Sequence, residues 1–246
     1  MSMKREERPV ALVTGSTSGI GEAVARRLAA DGMRVVVHSR RSTRAGEELA
    51  AELDGTYLRA DLAVADEARG LVEAALERYG RLDVLVNNAG ISRPVPHHDL
   101  AAAAPEEWRE VLEVNLIAPW VLCTAALAAL RAAPAGGSIV NITSHAGVRP
   151  KGSSVPYAAS KAALNHVTRL LAAALASDVR VNAVAPGLVD TPMTKDWADA
   201  HALWRDRAPM GRPARPSDVA DLVAMVIAHG YLTGEVILLD GGLNLT

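Results

Sequence analysis

Residues 138–161, SIVNITSHAGVRPKGSSVPYAASK, run from an apolar segment through a polar loop into a helical pattern. The apolar start predicts a buried strand, and the helix that follows carries Tyr157 and Lys161. Residues four apart lie one turn apart on the same face of a helix. A lysine ammonium held there stabilises a tyrosinate, and Ser144 at the strand end is placed to hydrogen-bond the same reacting oxygen. The stretch therefore predicts a strand–loop–helix unit with a proton-transfer site in which tyrosine acts as acid and base.

The pKa of the Tyr157 phenol decides whether that hypothesis works. An unperturbed phenol titrates near ~10, so it is a poor proton donor or acceptor at neutral pH. Lowering its pKa by roughly three units requires on the order of 4 kcal/mol of differential stabilisation. The alternative is that Tyr157 starts a helix and Lys161 is an ordinary solvated lysine, because this spacing often arises by chance. The rest of the chain has to decide between the two.

Outward from this stretch, short apolar runs alternate with helical patterns along the chain. Strands that are apolar throughout are typical of βαβ units and of a parallel sheet covered on both faces. Right-handed crossovers then predict an α/β fold, a Rossmann-type doubly wound parallel sheet of about seven strands with ligands at the carboxyl ends. Strands are predicted at 10–14, 33–39, 56–62, 82–90, 138–143, 179–187 and 235–240. Helices are predicted at 20–31, 42–53, 65–79, 106–131 and 155–176, with a last one from Ser217.

We expect one catalytic domain over residues 1–246, with residues 1–8 as a flexible tail and residues 188–216 as a substrate lid. The chain is 50% hydrophobic with a formal net charge of −2, and it has no basic or acidic block. Neither nucleic acid nor an anionic membrane is therefore an expected partner. A single cysteine, Cys123, excludes an internal disulfide and suits a cytoplasmic location. We expect neither a signal peptide nor an uninterrupted membrane-spanning stretch.

A glycine-rich turn follows the first predicted strand: Gly15, Ser16, Thr17, Ser18, Gly19, Ile20 and Gly21. Glycine permits a tight turn and lets backbone N–H groups approach a phosphate, and the helix N-terminus that follows favours the anion. The spacing is G-x3-G-x-G, which differs from the common G-x-G-x-x-G fingerprint, and the lysine of a P-loop is missing. An ordinary flexible turn remains the alternative for this motif taken alone.

Taken together, the motifs resemble those of the short-chain dehydrogenase/reductase family. They are the turn Thr14–Gly21, Asn87-Asn88-Ala89-Gly90, Asn115, Ser144, Tyr157-x-x-x-Lys161 and Pro186-Gly187, in the order and spacing of that family. The resemblance covers essentially the whole chain. The members it resembles most are 3-oxoacyl carrier-protein reductases and related carbonyl reductases.

The resemblance implies a nicotinamide dinucleotide cofactor. The glycine turn would hold its pyrophosphate. Its adenosine would lie against Asp61, Leu62, Asn87, Ala89 and Gly90. Its nicotinamide ribose and carboxamide would lie against Tyr157, Lys161, Pro186, Gly187, Val189 and Thr191.

The resemblance also implies the chemistry. Hydride would pass between the nicotinamide ring and a carbonyl carbon while Tyr157 delivers or accepts the proton, its pKa lowered by Lys161 and by the positively charged ring. Asn115 lies in a helical pattern, where asparagine is a poor helix former and Pro119 disturbs the hydrogen bonds further. The family implies a bent helix whose carbonyl holds a proton-relay water; the alternative is a tolerated polar residue.

The end of the second strand decides which cofactor is expected. An acidic residue there would accept both ribose hydroxyls and repel a 2′-phosphate. The strand ends instead at Ser39, Arg40 and Arg41, and arginine forks suit phosphate. We therefore expect NADP(H) rather than NAD(H), with Arg40 as the main contact and Ser39 beside it. A pair of surface arginines is the alternative.

The expected activity is reduction of a ketone or 3-oxoacyl carbonyl to a secondary alcohol. The carrier-protein reductases often have an arginine where Ala172 stands, which favours a free small carbonyl or acyl-thioester substrate. Two alternatives remain: an alcohol or sugar dehydrogenase working oxidatively, and a non-catalytic dinucleotide-binding regulator. The apolar helical run at 162–176 predicts burial against another subunit, in a homotetramer or homodimer. His97 and His98 lack further spaced ligands, so no metal site is expected.

Overall fold

The computed structural model describes residues 8–246, which contain a seven-stranded sheet with helices on both faces. The strands are β1 (Val10–Val13), β2 (Arg34–Ser39), β3 (Thr56–Arg59), β4 (Val84–Asn87), β5 (Gly137–Ile142), β6 (Val179–Pro186) and β7 (Val236–Leu239). Their order across the sheet is β3-β2-β1-β4-β5-β6-β7, and every pair of neighbours is parallel. The doubly wound α/β fold predicted from the sequence is confirmed.

Two helical layers cover the sheet. The helices are α1 (Gly19–Ala30), α2 (Thr43–Glu52), α3 (Ala65–Tyr79), α4 (Pro105–Leu112), α5 (Ala118–Arg131), α6 (Val155–Leu175), α7 (Ala198–Arg207) and α8 (Pro216–Ala228). Leu12 and Leu85 pack in the layer of α3 and α5, whereas Val13 and Val86 pack in the layer of α1 and α8. Because successive side chains alternate between two apolar layers, each strand is apolar throughout.

The winding of the chain places the crevice of the sheet. From β1 the chain passes to β2 and β3 on one side, and it returns to β4 on the other side of β1. The carboxyl ends of β1 and β4 therefore stand side by side where the winding reverses, which is where open α/β sheets bind ligands. The loops after β5 and β6 reach the same edge.

The long helix predicted at 106–131 is divided. A wider, π-helical turn at Glu113–Ile117 separates α4 from α5, and in it the Ala118 N–H donates to the Glu113 carbonyl. Pro119 explains the interruption, because it has no N–H to donate to the carbonyl of Asn115 four residues earlier. The disturbance predicted around Asn115 is present as this turn.

The segment Pro105–Arg131 is long and apolar enough to cross a membrane by length and composition alone, contrary to the expectation from the sequence. Half of its most apolar window is buried inside the protein. Ala126 and Leu130 of α5 are fully buried against the sheet layer that also holds α3. The core helix of a globular protein passes the same test, so this composition is weak evidence for a membrane span.

Two boundaries differ from the sequence expectation. β3 ends at Arg59, so Asp61 lies in the loop beyond the strand rather than within it. Arg8, assigned to the flexible tail, donates to the carbonyls of Gly32 and Met33 at 2.9 and 2.8 Å and is thereby fixed. The rest of that tail lies outside the described residues.

Residues 188–216 connect β6 to α8 over the carboxyl edge of the sheet. A parallel bridge between Val189 and Ala214 joins the two ends of the segment. The segment contains α7, none of whose residues is buried. Elsewhere in the segment, Leu188, Val189, Thr194 and Ala208 are buried, so it is anchored on both sides of α7 at the edge of the crevice.

Candidate active site

A cavity of about 1040 Å³ opens at this carboxyl edge. It extends from the end of β2, past the glycine turn, to the first turns of α6 and the segment 188–216. Most of the residues singled out from the sequence line it: Gly15, Thr17, Ser18, Gly19, Ile20, Gly21, Ser39, Arg40, Asp61, Leu62, Ala89, Gly90, Ser144, Tyr157, Lys161, Pro186, Gly187, Val189 and Thr191. The fold thus brings both predicted groups, for cofactor and for catalysis, to one cavity.

Ser16, Arg41 and Asn87 are predicted from the sequence to contact the cofactor, but the structure places them outside the cavity lining. Ser16 is buried, and its hydroxyl donates to the Val13 carbonyl at 2.8 Å. Asn87 is the last residue of β4, and its amide donates to the buried side chain of Asn141 at 2.9 Å. Arg41 is exposed. The Ser16 and Asn87 side chains are thus buried and Arg41 faces solvent, and the cofactor contacts expected of these three residues stay predictions.

The side chain of Asn115 also lies outside the cavity and is fully buried. Its amide donates to the Ile91 carbonyl at 3.0 Å and to the Ser160 hydroxyl at 3.1 Å, and it accepts from the Ile91 N–H at 2.9 Å. A Cβ placed on Gly90 would lie 3.2 Å from its amide oxygen and 3.4 Å from Lys161 Nζ. Asn115 therefore joins the loop after β4 to α6 beside the lysine, rather than lining the cavity itself.

The glycine turn has the geometry of an anion site. Gly15 and Gly19 have φ angles of +63° and +57°, and a Cβ on Gly21 would stand 2.3 Å from the Gly15 carbonyl oxygen. Only glycine fits such positions. The residue before α1, Ser18, makes no side-chain hydrogen bond to the first turn of that helix. The first N–H groups of α1 are therefore available to an anion at the positive end of the helix dipole, and they fit the diphosphate of a dinucleotide.

Asn88, which the sequence reasoning did not assign, holds the glycine turn in place. Its amide donates to the carbonyls of Thr14 and Gly15 at 2.8 and 3.1 Å. In return, the Thr14 hydroxyl accepts from the N–H groups of Asn88 and Ala89, both at 3.0 Å. The sequence signal for this role was the pair of asparagines at the end of β4. Only the second of them, Asn88, lies beyond the strand.

His38 is a second residue that the sequence reasoning did not assign. It is buried at the end of β2 and lines the cavity. Its Nδ1 accepts from the Gly15 N–H at 3.0 Å, and its Nε2 lies 3.1 Å from the Ala60 carbonyl oxygen. These two contacts define the neutral tautomer that carries its proton on Nε2. Burial lowers the pKa of His38 to about 4, opposed by the Ala60 hydrogen bond and by the charge of Asp61.

Arg40 occupies the outer end of the cavity. Its Nη1 lies 3.9 Å from the Asp61 carboxylate, and the two side chains are 42% and 34% exposed. An exposed pair at that distance contributes little stability. The Asp61 carboxylate also accepts from the Ala63 N–H at 3.1 Å. This loose contact leaves the Arg40 guanidinium able to take a phosphate, and it leaves Asp61 on the cavity lining.

Ser144, Tyr157 and Lys161 meet at the other end of the cavity. Burial raises the pKa of Tyr157 above its ordinary 10.0, and a hydrogen bond with Ser144 acts in the opposite direction. The sequence predicts that Lys161 lowers the pKa of Tyr157, but in the protein without a cofactor Lys161 does not contribute to this pKa. The lysine ammonium lies 5.9 Å from the centre of the Tyr157 ring and donates instead to the Ile142 carbonyl at 2.9 Å. Tyr157 is therefore protonated at neutral pH.

The start of α6 explains how these side chains are positioned. Ser154 precedes the helix, and its hydroxyl accepts from the Tyr157 N–H at 3.4 Å, while Pro156 lies in the first turn. Both residue types favour a helix start at this point. Lys161 follows one turn later and is 4% exposed, and burial lowers its pKa to about 8.

Beside Ser144, the buried side chains of His145 and Asp240 and the half-buried side chain of Trp204 border the substrate end of the cavity. His145 Nε2 lies 3.6 Å from the Asp240 carboxylate, and its ring meets the Trp204 ring edge-on with centroids 6.1 Å apart. Burial lowers the pKa of His145, and Asp240 opposes the shift. Within residues 8–246, neither His145 Nε2 nor Trp204 Nε1 has a hydrogen-bond partner. This end of the site therefore holds buried polar atoms that are not satisfied by the protein.

Comparison with known proteins gives matches along nearly the whole chain. A family model described as enoyl-(acyl carrier protein) reductase matches residues 15–244. The "Granaticin polyketide synthase putative ketoacyl reductase 2" of Streptomyces violaceoruber is 52% identical over 100% of both chains. A 3-oxoacyl-[acyl-carrier-protein] reductase of Synechocystis sp. is 38% identical over 95% of this chain and 96% of that protein.

Two similar solved structures contain a nicotinamide dinucleotide. A blue fluorescent protein from a metagenomic library, in complex with NADPH, is 34% identical with a TM-score of 0.88, covering 96% of this chain and 97% of its own. A 3-ketoacyl-(acyl-carrier-protein) reductase from Brucella melitensis, complexed with NADH, is 31% identical with a TM-score of 0.88, covering 97% and 99%. The similarity thus includes proteins with either form of the cofactor.

Proposed function

Because the chain belongs to the short-chain dehydrogenase/reductase family and is an oxidoreductase of that family, we propose that it uses NADP(H) to reduce a ketone or 3-oxoacyl carbonyl to a secondary alcohol. A nicotinamide dinucleotide is bound in two of the similar structures. The observation that carries the proposal is the convergence of Ser144, Tyr157 and Lys161 in the same cavity as the glycine turn and Arg40.

The roles follow from the chemistry of the side chains. When bound, the reduced nicotinamide ring supplies a hydride to the carbonyl carbon. Tyr157 gives its phenolic proton to the carbonyl oxygen, so that the phenol O–H bond breaks as the O–H bond of the alcohol forms. The raised pKa of Tyr157 keeps that proton in place until negative charge develops on the substrate oxygen. Ser144 hydrogen-bonds the phenol and orients the same oxygen.

Lys161 stabilises the tyrosinate that remains after proton transfer. Its pKa of about 8 leaves it mostly cationic at neutral pH, and an ammonium near the phenolate favours the ionised form. The main-chain carbonyl of Asn115, freed by Pro119 from α-helical pairing, holds the water through which Lys161 passes a proton back to Tyr157.

The substrate assignment rests on the relatives and on one position of α6. The names of several relatives concern ketoacyl or 3-oxoacyl substrates, which supports an acyl thioester. Ala172 is 3% exposed, and its Cβ would lie 3.5 Å from a Cβ on Gly234. Position 172 is therefore an interior position here, which argues against a carrier-protein contact through it. Residues 188–216 form the lid over this substrate, with Met193 and Trp204 in the lining.

We also propose that the protein is a cytoplasmic homotetramer or homodimer. Ile117, Trp120 and Leu170 are 41%, 49% and 56% exposed, and they lie on the π-helical turn, α5 and α6. Large apolar side chains exposed on adjoining helices support a protein interface. Light scattering is expected to give a dimer or tetramer mass, and a monomer at micromolar concentration would contradict the assignment.

The test of the activity is oxidation of NADPH in the presence of a substrate panel. Acetoacetyl thioesters, diketones, quinones, ketosteroids and keto sugars are compared at equal concentration, and each assay is repeated with NADH. Secondary alcohols and sugars with NADP⁺ or NAD⁺ test the oxidative direction. The proposal predicts that a ketone or a 3-oxoacyl thioester is reduced and that NADPH is preferred.

Each other outcome has a defined meaning. Turnover restricted to alcohols or sugars would replace the reductive assignment by an oxidative one. Tight NADPH binding with no turnover across the panel would favour a non-catalytic regulator. Equal turnover with NADH and NADPH, or preference for NADH, would overturn the cofactor assignment while leaving the carbonyl chemistry in place.

A further inference from the structure

His38, on β2, is hydrogen-bonded to two other segments of the cavity wall. Its ring lies between the glycine turn after β1 and the loop after β3, with Gly15 on one side and Ala60 on the other. Its main chain is bonded to the same turn, because the His38 N–H donates to the Ser16 hydroxyl and the His38 carbonyl accepts from the Ser16 N–H, both at 2.9 Å. Three of these four hydrogen bonds reach the glycine turn and the fourth reaches the loop that carries Asp61.

Both segments joined by the ring belong to the site assigned to the cofactor. The glycine turn has the geometry for the diphosphate, and Asp61 follows Ala60 directly at the end assigned to the adenosine. An imidazole is rigid, so the positions of its two nitrogens are fixed relative to each other. The ring therefore sets the spacing between Gly15 and Ala60, and it does so with one side chain that is 2% exposed.

Resting on the proposed cofactor use, we propose that His38 is a positioning residue of the dinucleotide site, which fixes the glycine turn relative to the adenosine-binding loop before the cofactor arrives. A turn held in its binding conformation loses less conformational freedom on binding. Without the ring, the ordering of Gly15 would have to accompany cofactor binding and would weaken it. Tyr157 and Lys161 have no contact with the ring, so the chemical step is unaffected.

Two substitutions test the hydrogen bonds of the two His38 ring nitrogens separately. The amide oxygen of asparagine can replace Nδ1 as the acceptor for Gly15, whereas the amide nitrogen of glutamine can replace Nε2 as the donor to Ala60. His38→Asn thus keeps the contact to the turn and loses the contact to the loop, and His38→Gln does the reverse. His38→Leu removes both. Val37→Ala, on the same strand but facing the opposite layer, lowers stability without touching either segment.

The experiment measures the Kd for NADPH by fluorescence titration, together with kcat and the KM for NADPH on a substrate found in the panel. Each single-contact variant is expected to raise the Kd and KM about tenfold, the factor that about one hydrogen bond contributes. The kcat at saturating NADPH is expected to stay within about twofold. His38→Leu gives a larger loss of affinity, and Val37→Ala lowers the melting temperature with an unchanged Kd.

A second measurement does not need the cofactor. Hydrogen–deuterium exchange of the Gly15 amide in the ligand-free protein is expected to be faster in His38→Gln than in His38→Asn or the wild type. Unchanged Kd and KM in both His38→Asn and His38→Gln would overturn the proposal, even if His38→Leu fails to fold. Equal Gly15 exchange in the two variants would overturn it as well. If the wild type binds neither NADPH nor NADH, the proposed function fails, and the exchange rates still decide whether the ring holds the turn.

Discussion

The two ends of the cavity differ in how completely their polar side-chain atoms are hydrogen-bonded to the protein. At the glycine-turn end, both ring nitrogens of the buried His38 and the amide nitrogen of the half-buried Asn88 are bonded to backbone groups of the turn and of the loop after β3. At the catalytic end, Lys161 is 4% exposed with a pKa lowered to about 8. The same end contains His145 Nε2 and Trp204 Nε1, which have no hydrogen-bond partner among residues 8–246.

The difference indicates which end is preassembled. A buried polar group that is fully hydrogen-bonded rigidifies its surroundings, whereas one left unpaired costs free energy until something satisfies it. The glycine-turn end therefore has its final geometry in the free protein. The catalytic end stores unfavourable desolvation that bound ligands relieve, which is common where function conflicts with stability. Substitutions at the two ends should then change stability in opposite directions.

The largest expected effect belongs to the catalytic end. Tyr157→Phe removes the proton donor and should lower kcat by about 10²–10⁴-fold, the usual contribution of general acid catalysis. The Kd for NADPH should change by less than about threefold, because the other residues assigned to the cofactor, from the glycine turn to Lys161, are unchanged. Stopped-flow or steady-state NADPH oxidation measures the first quantity and fluorescence titration the second.

Tyr79→Phe is the matched control, since this tyrosine bonds the Thr56 hydroxyl at 2.7 Å and lies outside the cavity lining. It should keep wild-type kcat. Near wild-type turnover in Tyr157→Phe would show that Tyr157 is not the proton donor, and the assignment of this end of the cavity to catalysis would fail.

The next effect tests the glycine-turn end through pH. The pKa of His38 is about 4 in the fold against 6.5 for an ordinary histidine, mainly because of burial. As the pH falls from 6.5 to 4, His38 is protonated in the unfolded chain but stays neutral in the folded protein. Its contribution to the unfolding free energy is therefore fully present above pH 6.5 and is lost progressively as the pH falls to 4. The two values correspond to about 3 kcal/mol of unfolding free energy. Urea denaturation at several pH values measures it.

His38→Asn cannot titrate and keeps the other six of the seven histidines. Its unfolding free energy should therefore fall less steeply between pH 6.5 and 4 than that of the wild type. Parallel curves would show that burial does not hold the His38 ring neutral in the fold, and the buried position of this ring at the glycine-turn end would have to be abandoned.

A third substitution should stabilise the protein while destroying its activity. Lys161→Met removes a buried ammonium whose lowered pKa corresponds to a cost of about 3 kcal/mol, reduced by the lost bond to Ile142 to a net gain of about 2 kcal/mol at pH 7. The melting temperature should rise by about 4–8 °C for a chain of this size. Calorimetry of the ligand-free protein measures the change.

The pH dependence gives this prediction a second check. Between pH 8 and 10.5 the unfolded chain binds the proton that the folded lysine releases, so the wild type gains stability relative to Lys161→Met as the pH rises. A methionine variant that melts below the wild type at pH 7 would show that Lys161 stabilises the fold. The contrast between the two ends would then disappear.

The sequence predicted the fold, and it indicated the residues that meet at the catalytic end of the cavity, because both depend on local patterns. Apolar runs with two covered faces specify parallel strands, and Tyr157 and Lys161 need only the spacing of one helical turn. Pro119 likewise predicts the interruption near Asn115 from its missing N–H. None of these inferences requires knowing which strands are neighbours.

The glycine-turn end was predicted less completely because its contacts are distant in sequence. Gly15 is 23 residues from His38, and Thr14 is 74 residues from Asn88. A histidine within a β-branched strand has no local signal of a role, since its partners are set by the order of β1, β2 and β3. That Asn88 rather than Asn87 bonds the glycine turn has the same origin, because the exact end of β4 decides which side chain leaves the sheet.

The smallest expected effect separates contact from charge at the outer end of the cavity. Arg40 and Arg41 are adjacent and carry the same charge, but only Arg40 lines the cavity. Arg40→Ala should raise the KM for NADPH about tenfold, the loss of about one charge-assisted hydrogen bond to the 2′-phosphate, with the KM for NADH unchanged. Arg41→Ala should leave both values within about twofold, because an exposed charge acts only through screened long-range attraction. An equal increase of the KM for NADPH in the two variants would mean that Arg40 acts through long-range electrostatic attraction and does not contact the 2′-phosphate.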